Sequence, residues 1–157
     1  MKKQNQKLAA RPSWDEYFMK LCEDVSSRST CNSRHVGAIL VKDKRIVSTG
    51  YNGAPHGLPH CLEAGCKIVK VHDGDSVNEK CERCLHAEQN AIIQCALHGV
   101  SCDGATLYTT ARPCRLCAKM LINAGIKRVV YKDEFKDREP LQMLEQVGVE
   151  VQKFGCK

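Results

Sequence analysis

Hydrophobic and polar positions follow helical spacing in some stretches and strand spacing in others, which predicts a mixed α/β protein. A first helix is predicted from Ser13, which with Glu16 has the spacing of a capping box. The apolar stripe of this helix recurs every three or four residues, at Trp14, Phe18, Leu21 and Val25. Two short β-rich runs, 36–41 and 45–49, then flank a polar turn and predict a hairpin.

Regular patterns return after residue 85 and alternate between helix and strand. The predicted helices cover 86–98, 113–124 and 140–147, and the predicted strands cover 105–110, 126–131 and 149–153. A glycine follows each of these helices, as is common at helix C-termini. Because successive β-α-β units favour parallel strands covered by helices, we predict a three-layer α/β/α fold around one mixed five-stranded sheet.

Between these regular parts, residues 50–80 show no clear periodicity and are rich in glycine, histidine and cysteine. An irregular segment of this length in a compact domain is usually functional or held by a metal. The chain has 157 residues and shows no internal boundary. We therefore expect a single domain at 13–157 behind a flexible basic tail at 1–12.

Charge argues against a nucleic-acid partner. The formal net charge is +6, but the first eleven residues hold no acid and four basic residues, Lys2, Lys3, Lys7 and Arg11. The remainder is therefore only mildly basic, unlike a broad polyanion-binding face.

No apolar run approaches the ~20 residues of a membrane helix, and the N-terminus lacks the apolar core of a signal peptide. We expect a cytoplasmic protein with no membrane partner.

The eleven cysteines suggest metal binding, because their number is odd and no export signal accompanies them. Cys114 and Cys117 follow Pro113 at a predicted helix start and share one face of that helix. His86, at the start of the preceding helix, could supply a third ligand. Three protein ligands leave one position of a tetrahedral Zn²⁺ open, which is typical of catalytic sites. Glu88, two residues further on, is then placed to carry protons.

The two motifs, H-x-E at residues 86–88 and P-C-x-x-C at residues 113–117, are those of the zinc nucleobase deaminases. The chain from about 14 to 154 resembles a deoxycytidylate (dCMP) deaminase of the cytidine-deaminase-like fold, in the branch with the bacterial late-competence operon deaminase. Further matching segments are 28–31, 36–38, 49–55, 86–92 and 124–127. One departure is Gln89, which stands where the family often has Leu or Met.

The resemblance implies hydrolytic deamination of dCMP to dUMP and ammonia. Zn²⁺ would be held by His86, Cys114 and Cys117, and Glu88 would move protons between water and the base. The candidates for substrate binding are Asn52, Arg28, Arg112, Tyr131 and Phe135. The 5′-phosphate needs cations, for which Arg115 is a further candidate.

The resemblance also implies a second, structural zinc that fastens the irregular segment. Its predicted ligands are Cys31, Cys61, Cys81 and Cys84, with Cys66 or His60 as substitutes. Members of the family are often hexamers, activated by dCTP and inhibited by dTTP with Mg²⁺. By analogy these effectors would bind at the turn 50–57, where His56 could touch a phosphate.

Two other functions remain open at this point. A tRNA adenosine deaminase shares both zinc motifs but would carry a basic groove for its polynucleotide. A non-catalytic zinc protein serving DNA uptake would be expected to have lost Glu88 or one of the three ligands.

Overall fold

The computed structural model describes residues 11–73, 76–133 and 138–156. In chain order the elements are α1 (Trp14–Ser26), β1 (Gly37–Lys42), β2 (Arg45–Tyr51), α2 (Cys61–Ala64), β3 (Ile68–Asp73), β4 (Ser76–Cys81), α3 (Ala87–Leu97), β5 (Thr106–Ala111), α4 (Arg115–Asn123), β6 (Arg128–Asp133), α5 (Glu139–Gln146) and β7 (Glu150–Lys153). Among the described residues, no helix reaches the length and apolar character needed to cross a bilayer.

The predicted mixed five-stranded sheet is confirmed, with strand order β2-β1-β5-β6-β7. Strand β1 pairs antiparallel with β2 and with β5, whereas β5 and β6, and β6 and β7, are parallel. Ala38 lies opposite Thr109, and Gly37 lies opposite Tyr51. This register gathers the start of β1 and the ends of β2, β5 and β6 at one edge of the sheet.

Helices cover both faces of the sheet, which gives the predicted three layers. Helix α1 covers one face, where Phe18 and Met19 pack with Ile39 of β1. On the other face α3, α4 and α5 pack against the alternate residues of β1, β5 and β6, in a cluster that includes Leu40, Leu107, Leu121, Val129 and Leu144. The alternation of Ile39 and Leu40 follows from the period of two along a strand.

Helix α3 lies unusually close to β2 because Gly50 has no side chain. A Cβ at Gly50 would lie 2.2 Å from the carbonyl oxygen of Ala87 and 2.4 Å from the nitrogen of Ala91. Such distances are far below van der Waals contact, so any larger residue would push α3 away from the sheet. The missing side chain at Gly50 therefore lets the first turn of α3 pack directly against the backbone of β2.

A charged network fastens the start of α1 to the sheet. The Arg128 guanidinium donates two hydrogen bonds to the Asp15 carboxylate, at 2.8 and 2.7 Å, and Tyr108 Oη donates a third at 2.6 Å. The hydrogen bond from Arg128 holds the pKa of Asp15 below its ordinary value. This fixed geometry positions the helix that covers the outer face.

The prediction that 50–80 is irregular is wrong in part. The structure contains the short helix α2 and an antiparallel hairpin, in which Ile68 of β3 lies opposite Cys81 of β4. The hairpin forms its own two-stranded sheet rather than joining the main one, so its strands lack a long buried apolar pattern. The sequence Gly-Asp at positions 74–75, between two β-rich runs, is a common hairpin signal and could have revealed it.

Candidate active site

Three side chains converge at the edge where the sheet strands meet. His86 Nδ1 lies 3.5 Å from Cys114 Sγ and 3.4 Å from Cys117 Sγ. For a tetrahedral Zn²⁺ with ordinary bond lengths, ligand nitrogen and sulfur atoms should be about 3.6 Å apart. The three ligand atoms therefore fit one zinc ion, and together they leave its fourth position to a water or a substrate.

Two helix N-termini position these ligands. His86 and Cys114 are the N-cap residues of α3 and α4, with extended backbones that turn their side chains out of the helix. Cys117 lies one turn into α4 and is buried. Hydrogen bonds from Cys117 and then His86 lower the pKa of the Cys114 thiol to about 3. A helix N-terminus also favours negative charge, so the site suits thiolate ligands.

The carboxyl group of Glu88 lies beside the three ligand atoms without joining them. Its Oε2 is 3.7 Å from Cys117 Sγ, and the residue is only 3% exposed. Burial raises the pKa of Glu88 to about 7. A carboxyl group with such a pKa exchanges a proton readily at neutral pH, which is what a general acid and base requires.

A small cavity opens onto this cluster and has a volume of about 60 Å³. Its described lining is Arg34, Val36, Asn52, His86, Glu88, Ala111, Arg112 and Cys114. The volume is far below the roughly 300 Å³ of a pocket that encloses a whole small-molecule ligand. A volume of this size leaves room for a small group, and the rest of a larger ligand would remain outside the cavity.

A second group of ligand atoms lies next to the site. The sulfur atoms of Cys31, Cys61, Cys66 and Cys81 all lie within 4.8 Å of one another. Cys84 adds a fifth sulfur, 3.4 Å from Cys61 Sγ. Sulfur atoms around a tetrahedral zinc are about 3.8 Å apart, so this cluster also has the size of a zinc site.

Comparisons with known proteins support the same reading of the site. Residues 12–133 match the family described as the cytidine and deoxycytidylate deaminase zinc-binding region. The chain belongs to this family. Within it, the chain is similar to the ComE operon protein 2 of Bacillus subtilis, at 44% identity over 91% of this chain and 72% of that protein.

The deaminase family likeness extends to yeast and to a solved structure. The deoxycytidylate deaminase of Saccharomyces cerevisiae is 41% identical over 92% of this chain, although the chain spans only 46% of the yeast protein. The dCMP deaminase of the cyanophage S-TIM5, solved in complex with dCMP and dUMP, superposes with a TM-score of 0.75. It is 38% identical, and the match covers 92% of this chain and 99% of the phage chain.

The structure brings some of the predicted substrate residues to the cavity and leaves others away from it. Asn52 and Arg112 line the cavity, both at 7% exposure. Arg28 is exposed near the end of α1 and is absent from the described lining. Tyr131 is 4% exposed in the core under α4 and α5, so its packing does not support substrate contact. Phe135 lies outside the described residues.

The other candidates have partners of their own. Arg115 forms a salt bridge with Glu139 at the surface of α4. His60 Nδ1 lies 3.1 Å from Thr30 Oγ1, and His60 does not belong to the group of mutually close ligand atoms found among the described residues. His56 lines a separate, larger cavity beside β2.

Two residues at the site escape the sequence analysis. The Gln89 Oε1 atom accepts the His86 N–H at 2.7 Å, so this departure from the family pattern holds the backbone of the candidate ligand His86 in place. The i, i+3 spacing of a capping residue could have revealed it. Arg34 lines the cavity, and no sequence motif marks it.

Asn52 joins three segments of the site through its side-chain amide. Its Oδ1 accepts the Ala87 N–H at 2.9 Å, and its Nδ2 donates to the Arg34 carbonyl at 3.1 Å. The substitution Asn52→Ala should leave the Ala87 N–H without its partner and remove one of the two side-chain hydrogen bonds to the Arg34 carbonyl. We expect it to lower the free energy of unfolding by about 2 kcal/mol. Urea unfolding of the zinc-loaded protein measures this loss.

The matched control is Asn123→Ala, which removes the same side chain from the exposed end of α4. This variant should unfold within about 0.5 kcal/mol of the wild type. Equal stability of the two variants would contradict the role assigned to the Asn52 amide.

Proposed function

We propose that the protein is a zinc-dependent deaminase that hydrolyses dCMP to dUMP and ammonia. The observation that carries this proposal is the buried Glu88 carboxyl group beside the ligand atoms of His86, Cys114 and Cys117. A structural zinc site has four protein ligands and needs no buried acid beside it. This cluster instead offers three ligands and a buried carboxyl group, which is typical of a catalytic site. The substrate is supported by the relatives named deoxycytidylate deaminase and by the phage complex with dCMP and dUMP.

His86, Cys114 and Cys117 are proposed to hold the zinc ion, which when bound lowers the pKa of a water molecule to about 7. Glu88 would pass one proton of the attacking water to N3 of cytosine, where it stays in dUMP, and would then pass the second proton of that water to the leaving amine. Its raised pKa suits both transfers, since the same carboxyl must take up and release a proton at one pH. The small volume of the cavity leaves little room for water beside the base.

The substitution Glu88→Gln tests the proton transfer. The amide keeps the shape of the side chain but cannot accept the proton, so dCMP turnover should fall by at least about 10²-fold while zinc binding is retained. Deamination is followed by absorbance on protein whose zinc content has been measured, with dCMP, CMP and deoxycytidine as substrates.

Glu145→Gln, an exposed change on α5, is the control and should keep wild-type turnover. Substantial activity in Glu88→Gln would exclude the proton-carrying role. If the zinc-loaded wild type turned over none of the three substrates, tRNA would be the next substrate tested, followed by a non-enzymatic role in DNA uptake.

A second, structural zinc is proposed at the thiol cluster. Its ligands are Cys31, Cys61, Cys81 and Cys84, with Cys66 able to take the place of Cys84. The distances of 3.5 Å from Cys61 to Cys81 and 3.4 Å from Cys61 to Cys84 support this set. A zinc ion with four protein ligands would connect the segment before β1, helix α2 and the end of β4. This connection would lie just before His86 in the chain.

Zinc counting tests the second site. We expect two zinc ions per chain in the wild type and one in Cys61→Ser. The Cys61 sulfur lies within 3.5 Å of the Cys81 and Cys84 sulfurs, so it is a ligand whichever cysteine is the fourth. Comparing Cys66→Ser with Cys84→Ser then identifies the fourth ligand. The exposed Cys156→Ser is the control and should keep two ions. One zinc in the wild type would refute the second site.

Regulation and assembly are proposed from the surface outside the active site. A cavity of about 670 Å³ runs along β2 and the turn after it, and its lining includes Tyr51, His56, His60 and His98. Its size and its imidazoles suit a nucleoside triphosphate, so dCTP as activator and dTTP as inhibitor, each with Mg²⁺, are assigned to it.

Exposed Ile93, Leu97 and Leu116 on α3 and α4 favour burial against other copies of the chain in a hexamer. The free thiols suit the reducing cytoplasm.

Adding dCTP and Mg²⁺ to the dCMP assay should raise turnover at low dCMP, and dTTP should reverse this effect. His56→Ala should lose the response while keeping unstimulated activity, and His35→Ala, away from this lining, is the control. Light scattering on the same samples reports the mass. Unchanged turnover with either nucleotide would exclude effector control, and a monomer would exclude the hexamer.

A further inference from the structure

A cavity of about 640 Å³ opens at the start of α1, and we call it the α1 cavity. Its lining includes Arg11, Trp14, Tyr17, Lys44 and Arg45. It shares no described lining residue with the catalytic cavity. Lys44 and Arg45 lie at the turn after β1, whereas Gly37, at the other end of β1, lies at the catalytic edge. The six residues of β1 span roughly 20 Å, so the two cavities lie at opposite ends of this strand.

Aromatic side chains form one wall of the α1 cavity. Trp14 is 43% exposed, although its ring stacks on Phe18 with the ring centroids 5.5 Å apart and an interplanar angle of 19°. The exposed Tyr17 ring meets Trp14 edge to face at 6.0 Å. Because Phe18 is buried, it fixes the plane of the indole while much of the indole stays open to solvent. An exposed ring held in this way is suited to stacking with another flat ring.

Three cations line the α1 cavity, and two of them lie over its tryptophan ring. The Arg11 guanidinium carbon is 5.8 Å and the Lys44 ammonium nitrogen is 5.4 Å from the centroid of Trp14, and Arg45 is the third cation. The φ angles of Asp43 and Lys44 are +50° and +60°, as a two-residue type I′ turn requires. This turn fixes the point at which Lys44 leaves the hairpin. The cavity therefore presents a flat aromatic surface beside localised positive charge.

The nearby acidic residues do not belong to the described lining of the α1 cavity. Glu16 Oε2 accepts the Ser13 N–H at 2.7 Å. The Asp15 carboxylate accepts hydrogen bonds from Arg128 on the sheet. Asp43 is exposed in the turn between β1 and β2. The charged side chains of the described lining are therefore all positive.

The excess charge of the whole chain is concentrated at this cavity. The four basic residues of the segment 1–11, together with Lys44 and Arg45, equal the formal net charge of +6. The rest of the chain is therefore electrically balanced. Arg11 is the last residue of this basic segment and lines the cavity, so the segment is covalently joined to it. A broad polyanion-binding face stays excluded by this balance, whereas a site for one or two nucleotides needs few cations.

A stacking surface beside cations matches a nucleobase with its neighbouring phosphates. Every lining residue except Phe18 is exposed, so a ligand would contact the cavity on one side only. A free small molecule is usually enclosed over most of its surface, whereas a strand gains further contacts beyond one shallow site. In a duplex the base faces are already covered by neighbouring base pairs. The α1 cavity therefore suits a single strand better than a free nucleotide or a duplex.

We propose that the α1 cavity binds single-stranded nucleic acid, with a base stacked on Trp14 and neighbouring phosphates on Arg11, Lys44 and Arg45. This binding is separate from the proposed deaminase function and does not depend on it. No contact to the edge of a base is assigned, so we expect little preference for sequence.

Fluorescence of the full-length, zinc-loaded protein tests the proposal directly, because Trp14 is the single tryptophan of the chain. An oligothymidylate of about ten nucleotides should quench this fluorescence, with a Kd between about 10⁻⁶ and 10⁻⁴ M at physiological salt. Thymine has no exocyclic amine, so this probe is no substrate for a cytosine deaminase. Three phosphate contacts should give a slope of about −2 for the logarithm of the association constant against that of salt concentration. Absence of quenching would refute the site.

The double variant Lys44→Gln/Arg45→Gln keeps the tryptophan and removes two of the three cations. Its Kd should rise about 10-fold at physiological salt, and the salt slope should fall to about −0.7. The matched control Lys70→Gln/Lys127→Gln removes two exposed lysines outside the lining and should bind like the wild type. Equal weakening in both double variants would indicate general charge attraction and overturn the proposal.

Stacking is tested by Trp14→Leu and Trp14→Phe, with binding followed by the anisotropy of a labelled oligothymidylate. Trp14→Leu should raise the Kd about 5- to 100-fold, as expected for the loss of one stacked base. Trp14→Phe keeps a flat ring and should stay within about threefold of the wild type. An unchanged Kd in Trp14→Leu would refute stacking. Circular dichroism checks folding, and if Trp14→Leu does not fold, the charge variants and Trp14→Phe still decide the question.

Three further ligands separate a single strand from other anions. The mononucleotide dTMP, a duplex of the same length and oligoglutamate should each bind at least about 10-fold more weakly than the single strand. Equal affinity for dTMP would assign the cavity to a free nucleotide. Equal affinity for the duplex or for oligoglutamate would assign it to polyanions in general. Either result would overturn the proposal.

Discussion

The side-chain amide of Asn52 is the interaction on which the arrangement of the catalytic edge depends. It lies at the end of β2 and connects the Ala87 N–H of α3 with the Arg34 carbonyl of the segment before β1. A buried amide of this kind cannot exchange either partner for water without an energetic cost. The start of α3 and the mouth of the cavity are therefore held in one fixed relation.

The packing of α3 and α4 on the sheet brings the candidate ligands and Glu88 together at this edge. Gly50 lets α3 approach β2 closely enough for His86 and Glu88 to reach the cavity. The parallel pairing of β5 with β6 sends the chain into α4 at the same edge, where Cys114 and Cys117 complete the ligand set. The ligands thus come from separate elements, and their distances follow from backbone packing rather than from a flexible loop.

Sequence patterns were sufficient to predict most of the fold and the residues at the centre of the site. The helical stripe after Ser13, the late β-α-β alternation and the two zinc motifs depend on local spacing, which the chain shows directly. Arg34 and the amide of Asn52 could not be assigned this way, because their roles depend on contacts between segments far apart in the chain. Gln89 differs from these two residues, because it stands three residues after the N-cap His86 and this capping spacing is visible in the sequence.

The pairing of β1 with β5 has a consequence for how the protein folds. The region from β5 to β7 is built from neighbouring β-α-β units, whose contacts are local and form early. By contrast, Ala38 meets Thr109 only after a long loop has closed, and α3 lies within that loop. Cys114 and Cys117 therefore belong to a part of the chain that can form before His86 arrives. Completion of the three-ligand set would then be a late folding event, and acquisition of tight metal affinity would mark the moment at which β1 enters the sheet.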